Sequence, residues 1–309
     1  MGSMLSRYVR FALLLEVLAY SAAGAWLHQS RGWSLFAVIA SAVGIATGWR
    51  TLVLLASIGL GHAFRSPRRP QQRLDAAATL RYILRELRAW LVLAFAATPW
   101  DSRWLRPDPA LAPTERMPVL VVHGYFVNRD SLRSLVSSLE ARGIAPVFVP
   151  NFRTWFASIE RFENEIHGAI ERIAVGTGQP RLFVIAHSMG GLGMRAYLVR
   201  RGAARIAGLV TLATPHGGTS LAPLGAGENA RQMRRGSVFL SELVRMEEMT
   251  RPPPTLSIYS VHDNIVAPQE TSRLAWARNL AVAGEGHFAM LELPEVLDAV
   301  EQAWREAGA

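Results

Sequence analysis

The stretch Leu182-Phe-Val-Ile-Ala-His-Ser188-Met-Gly-Gly191 constrains this 309-residue chain more than any other. An apolar run of strand length ends in a serine, and the residues after it read as a helix. Presenting a serine hydroxyl from the end of a strand needs a strained turn, and small residues two places before and two after it let neighbouring backbone pass close. Ala186 and Gly190 occupy those places, so the pentapeptide is Ala-x-Ser-x-Gly. The competing reading is an ordinary loop in which Ser188 only caps a helix. Residues further along the chain weaken it.

A hydroxyl becomes a nucleophile when a base takes its proton and a carboxylate orients that base. After the apolar run Thr255–Val261 comes His262-Asp263-Asn264, which puts an acid at the end of a strand. After Asn279–Ala283 the loop Gly284-Glu-Gly-His287-Phe offers a histidine between glycine and an aromatic. The pattern predicts Asp263 as the acid, with Glu285 and Asp298 as competitors, and His287 as the base. The order Ser188, Asp263, His287 is that of α/β-hydrolases, and neither the chymotrypsin nor the subtilisin order. His28, His62 and His167 lie in apolar or amphipathic stretches and read as structural. His187 precedes the serine, and His216 sits in the loop Ala213-Thr-Pro-His-Gly-Gly-Thr219; both are expected to line the substrate pocket with His123, Gly124 and Phe126. His262 would point away from Asp263 on an extended segment. An acyl-transfer oxyanion needs two N–H donors. Met189 supplies one, and Tyr125, in the loop after Pro118-Val-Leu-Val-Val122, supplies the other, with Phe126 as the alternative.

From Met117 to Ala309 the chain resembles the bacterial lipase and esterase branch of the α/β-hydrolase superfamily. The motifs that carry the resemblance are Val-Val-His-Gly-Tyr, Ala-His-Ser-Met-Gly-Gly, Ala-Thr-Pro-His-Gly-Gly-Thr, His-Asp-Asn-Ile-Val-Ala-Pro and Gly-Glu-Gly-His. The resemblance implies an α/β fold, a mostly parallel sheet with helices on both faces. It also implies a serine carboxylester hydrolase that cleaves acyl esters of lipids through an acyl-enzyme, with no obligatory cofactor. Phospholipase or lipid acyltransferase chemistry would use the same triad, and a non-catalytic membrane scaffold is the reading from another class. Acyl length, head group and oligomeric state are not specified by these motifs.

Strand-like runs fall at 118–122, 145–149, 182–186, 207–212, 255–261 and 279–283, with helical patterns at 129–141, 155–173, 191–201 and 294–307. Such alternation predicts a doubly wound sheet. The interval 219–254 exceeds a usual loop and holds a helical pattern with Ser237 as N-cap. It reads as a cap or lid, with a core helix as the competing reading.

Charge separates the N-terminal third from the rest, because residues 1–103 carry +8 of the chain's net +9. The basic residues cluster around apolar runs without aromatic partners, which argues against nucleic acid and for a bilayer with anionic head groups. Phe11–Leu27 is apolar except for Glu16, and Trp33–Trp49 is uncharged and continues past Arg50 to Phe64. Each is near the length that spans hydrocarbon, so residues 1–64 are expected to form a transmembrane hairpin. Two buried core helices, or a signal peptide ending near Ala23-Gly24-Ala25, are the competing readings. Glu16 in lipid needs a partner, for which Arg50 is the candidate. Arg7 and Arg10 precede the hairpin and Arg65, Arg68, Arg69 and Arg73 follow it, with only Arg31 between. The expectation is therefore a multi-pass protein of the bacterial inner membrane with its catalytic domain, 104–309, on the cytoplasmic face; the periplasmic face is the alternative. Residues 65–103 read as a basic interfacial helix and linker, with Arg81, Arg85 and Arg88 toward acidic head groups. Gly44 and Gly48 have the spacing of helix pairing. Zero cysteines exclude disulfides and cysteine-metal sites.

Overall fold

A computed structural model describes residues 4–100, 103–153 and 155–308. Its centre is a six-stranded, wholly parallel sheet: β1 (Val119–Val122), β2 (Val147–Phe148), β3 (Leu182–His187), β4 (Ile206–Leu212), β5 (Thr255–Ser260) and β6 (Arg278–Val282), in the spatial order β2-β1-β3-β4-β5-β6. The strands lie within a residue or two of the apolar runs. β1, β3 and β4 are buried along their whole length, which is why they read as continuous apolar runs and not as alternating patterns.

Alternate residues of each strand feed two cores. Leu120, Val122, Val184 and Ala186 pack with α5 (Ile159–Thr177) and α6 (Met189–Arg201). Val119, Val121, Phe183 and Ile185 pack against α4 (Arg133–Ala141) and α9 (Pro294–Glu306). α5 begins four residues later than its apolar pattern suggests, because Ser158 accepts a hydrogen bond from Arg161 N and so caps the helix there. At its other end Gly178, at φ 70°, turns the chain out of the helix. Between β4 and β5 lie the short α7 (Glu228–Gln232) and α8 (Val238–Glu247). α8 buries Phe239, Leu240 and Leu243 in the core beside α6, and Glu247 pairs with Arg195 of α6 at 2.6 Å. It is a docked helix, which favours the core-helix reading of this interval over a free cap.

Before the sheet come α1 (Met4–Arg31), α2 (Leu35–Ala63) and α3 (Ala76–Val92), the last continued by one wide turn, Leu93–Ala97. α1 and α2 are long and apolar enough to cross a membrane. They form an antiparallel hairpin held by Glu16 and Arg50, which pair at 2.8 Å. Trp49 and Tyr20 also donate to Glu16, and the Arg50 guanidinium stacks on Trp49 and on Phe95. Close approach of the two helices occurs at Gly24, where a Cβ would overlap Val38. Gly44 and Gly48 have open space beside them, so they are not the contact within the hairpin.

Of the three α3 arginines expected to face head groups, Arg85 and Arg88 reach acids of the sheet domain while staying more than half exposed, and Arg81 is exposed. Arg85 pairs with Glu285 and Arg88 with Glu292, so α3 lies with that face on the catalytic domain. Leu80, Leu84 and Val92 are its exposed large apolar residues.

Candidate active site

In a sheet of this order the chain reverses its winding between β1 and β3, and a crevice opens beyond the carboxyl ends of the strands at that point. His123-Gly124 leaves β1 there, and Ser188 leaves β3. Ser188 sits at φ 56°, ψ −129°, a region costly for any residue with a Cβ, and forms the junction between β3 and α6. Its N–H donates to Leu212 O at 2.8 Å, tying the turn to β4. The surrounding glycines have no room for a side chain. A Cβ at Gly124 would lie 2.7 Å from Ser188 Cβ, one at Gly190 would lie 2.8 Å from Val122 O, and one at Gly191 would overlap Thr214. This is the strained junction that the pentapeptide implied.

Asp263 and His287 meet as the sequence order suggests, with His287 Nδ1 donating to Asp263 Oδ2 at 2.8 Å and both groups buried. The other carboxylate oxygen, Oδ1, accepts from Ile265 N and Val266 N at 2.7 and 2.8 Å, which fixes the acid's orientation. Burial works against the charged form of His287, but the neighbouring Asp263 charge and hydrogen bond, joined by Glu86, hold its pKa above the usual histidine value. The competing acids are engaged elsewhere: Glu285 with Arg85, and Asp298 with Arg142.

His187 connects the two halves of the site. Its ring lies 4.8 Å from that of His287, centroid to centroid, and Nε2 donates to His287 O at 3.3 Å. The base is thereby packed against the residue that precedes Ser188. Burial holds the His187 pKa well below the histidine value, so the ring is a neutral spacer. His262 also stays neutral, at about 4, through burial and the nearby Arg68 charge; its Nδ1 accepts from Gly284 N.

The residues expected to line a pocket divide. Gly124 covers Ser188, and Phe126 is about half exposed beside Phe156, their ring centroids 5.9 Å apart. His123 and His216, by contrast, are turned into the domain. His123 Nε2 accepts from Phe152 N, while the His216 ring is buried against Thr211 and its carbonyl accepts from Arg195. Both rings are buried and brace the loops that carry them. Of the expected oxyanion donors, Met189 begins α6, and Tyr125 precedes Phe126, which sits at φ 57°. The Tyr125 hydroxyl exchanges hydrogen bonds with Ala226, fastening this loop to the chain before α7.

Four polar residues of the site are given no role by the sequence alone: Ser6, Ser57, Glu86 and Asn264, the last although it stands in the His262-Asp-Asn264 motif. Asn264 Oδ1 accepts from His287 N, and its Nδ2 donates to Ser57 of α2 at 2.9 Å. Asn128, two residues beyond Phe126, donates to Ser6 of α1 at 3.3 Å. Glu86 of α3 accepts from Ala289 N at 2.9 Å and from Phe288 N at 3.3 Å. The one visible signal is that Glu86 is the only acid between Asp75 and Asp101. Among the described residues, no group of three or more His, Asp or Glu side chains is placed to hold a metal ion.

Residues 117–237 match the family model for the alpha/beta hydrolase fold. The chain is similar in structure to the mature lipase BlEst2 of Bacillus licheniformis, with a TM-score of 0.54 and 15% identity, over 64% of this chain and 96% of that one. It is also similar to Aspergillus fumigatus lipase B, with a TM-score of 0.54 and 19% identity, over 68% of this chain and 61% of that one. No curated protein matches the chain by sequence. The fold is the α/β-hydrolase fold, preceded by two apolar helices.

Proposed function

We propose that this chain is a membrane-anchored serine carboxylester hydrolase that cleaves acyl esters of lipids. The observation that carries the reading is the strained Ser188 at the crevice beside a buried, hydrogen-bonded His287–Asp263 pair. Ser188 Oγ attacks the ester carbonyl and passes its proton to His287 Nε2 as the C–O bond to the new acyl-enzyme forms. Asp263 keeps the Nδ1–H tautomer and balances the imidazolium. Met189 N and Tyr125 N donate to the oxyanion. The alcohol leaves with the proton held on His287, and water, activated by the same histidine, releases the acid and restores Ser188.

Membrane attachment is supported by the apolar hairpin and by where its ends lie. Ser6 at the start of α1 and Ser57 near the end of α2 both contact the catalytic domain. The arginines flanking the hairpin therefore gather on the domain's side, as expected for a cytoplasmic face of the inner membrane. Anionic head groups and lipid esters are the partners this arrangement suits.

The test is hydrolysis by the detergent-purified protein and its Ser188→Ala variant, using p-nitrophenyl esters of short and long chain, emulsified glycerides and phospholipid vesicles. Serine-dependent release of fatty acid from the lipid substrates is expected, with Ser188→Ala lowering kcat by about 10³-fold or more and leaving the melting temperature nearly unchanged. Undiminished release by Ser188→Ala would remove the assignment. Transfer of the acyl group to an added alcohol in place of water would make the protein an acyltransferase.

A further inference from the structure

Each of the three loops that build the crevice is held by a polar side chain from a different N-terminal helix. Ser6 of α1 meets Asn128 beyond the loop after β1, Ser57 of α2 meets Asn264 beside the acid, and Glu86 of α3 lies under the loop that carries the base. Glu86 is the most demanding of these contacts, because a carboxylate with no exposed surface has been brought into the protein from outside the hydrolase domain. Burial raises the Glu86 pKa, and opposing it the carboxylate oxygens accept from Phe288 N, Ala289 N and Trp90 Nε1, all donors, while the neighbouring His287 favours the ionised group as well. The neighbouring loop residue is Gly286, where any Cβ would overlap the Glu86 carboxyl.

We propose that Glu86 is a positioning residue for His287: from α3 it holds the backbone on the far side of the histidine and sets a second negative charge behind the ring. The inference rests on the triad reading above. It means that the hydrolase domain's catalytic base is completed by the N-terminal segment, through the helix that follows the apolar hairpin. The groups around His287 agree with this. Asp263 holds Nδ1, the neutral His187 ring and the Phe288 ring pack against the imidazole at 4.8 and 5.0 Å, and Glu86 binds the two amides that follow it; Arg85 is taken up by Glu285, and Arg68 lies with His262 and Tyr82 behind the acid loop. Asp263 and Glu86 both favour the imidazolium, and burial opposes it.

Full-length Glu86→Gln and Glu86→Asp, purified in detergent beside wild type and Ser188→Ala, test the proposal through kcat, KM and the pH profile of kcat/KM. Glu86→Gln removes the charge and puts an amide N–H where a donor already points. It should lower kcat about tenfold or more with KM changed less than about twofold, and should move the acid limb down by about half a pH unit or more, since the imidazolium loses a favourable neighbour. Glu86→Asp keeps the charge but withdraws it from the loop, so kcat should fall while the limb stays near its wild-type position. A wild-type kcat in either variant would overturn the proposal, as would a loss in Glu86→Gln with an unmoved limb, which marks a purely structural contact. If Glu86→Gln does not fold, Glu86→Asp decides by its kcat against its KM and stability: a lowered kcat with KM and melting temperature near wild type upholds the proposal, and a wild-type kcat, or a loss that only follows a lowered melting temperature, overturns it. Retained activity in Ser188→Ala would instead refute the triad reading, and this inference with it.

Discussion

At the scale of single residues, the site is made by conflicts that sequence alone resolves in one direction. Ser188 accepts a backbone conformation that costs it stability because β3 and α6 on either side determine where it must stand. The glycines around it are the other half of that geometry. Gly191→Ala should destabilise the protein by about 1–3 kcal/mol, since the new Cβ would overlap the buried Thr214, and chemical denaturation will read it. The charge on the base gives a second prediction. His287 must be neutral to take the proton from Ser188, and its pKa is held above the usual histidine value. Activity should therefore fall with acid earlier than an ordinary histidine would allow, as kcat/KM declines through that raised pKa. An acid limb at or below the histidine range would contradict the observed neighbours.

At the scale of elements, packing decides what periodicity leaves open. α8 has the apolar spacing of a lid helix, yet Phe239, Leu240 and Leu243 are in the core and Arg195 holds Glu247. Hydrogen exchange should find the amides of Leu240 and Leu243 protected to a degree comparable with α6, and Leu243→Ala should cost about 2–5 kcal/mol. Rapid exchange across α8 would restore the mobile cap. The hairpin poses the opposite problem, because its polar pair lies among apolar surface. Arg50→Ala leaves Glu16 without its guanidinium and should reduce the yield of folded, membrane-inserted protein, whereas Glu16→Gln with Arg50→Leu should recover much of it. Equal loss in both variants would show that the pair does more than balance charge.

At the scale of the whole molecule, the N-terminal helices and the hydrolase domain are not separable modules. α2 reaches about 43 Å at the helical rise, and its last turns lie on the acid loop, where a Cβ at Gly61 would come within 2.9 Å of the Asn264 backbone. On the proposed membrane attachment, a hairpin fixed in this way would bring the crevice to the level at which the helices leave the apolar layer. The absence of cysteine makes the topology directly measurable. A thiol placed by Ser30→Cys at the hairpin turn should react with an impermeant reagent added to spheroplasts. One placed by Gln302→Cys on α9 should react only in inverted vesicles. The reverse pattern would put the catalytic domain on the periplasmic face.

The strands, the strained serine at the end of β3 and the pairing of Asp263 with His287 were legible in the chain itself. Each is written in local pattern: apolar runs of strand length, and reactive residues at their carboxyl ends. Glu16 and Arg50 were legible for a similar reason, since a charge in an apolar run must find its opposite. Glu86, Ser57, Asn264 and the inward turn of His123 and His216 were not. An isolated acid in a basic helix, a serine in an apolar one and a histidine after a strand look the same whether they face solvent, lipid or a buried loop. What separates these outcomes is which surface is brought against them from more than a hundred residues away, as the contacts of Glu86 with Phe288 and Ala289 are. Only the tertiary structure makes that choice, because the cost of burying a polar group is set by the partner it meets and not by its neighbours in the chain.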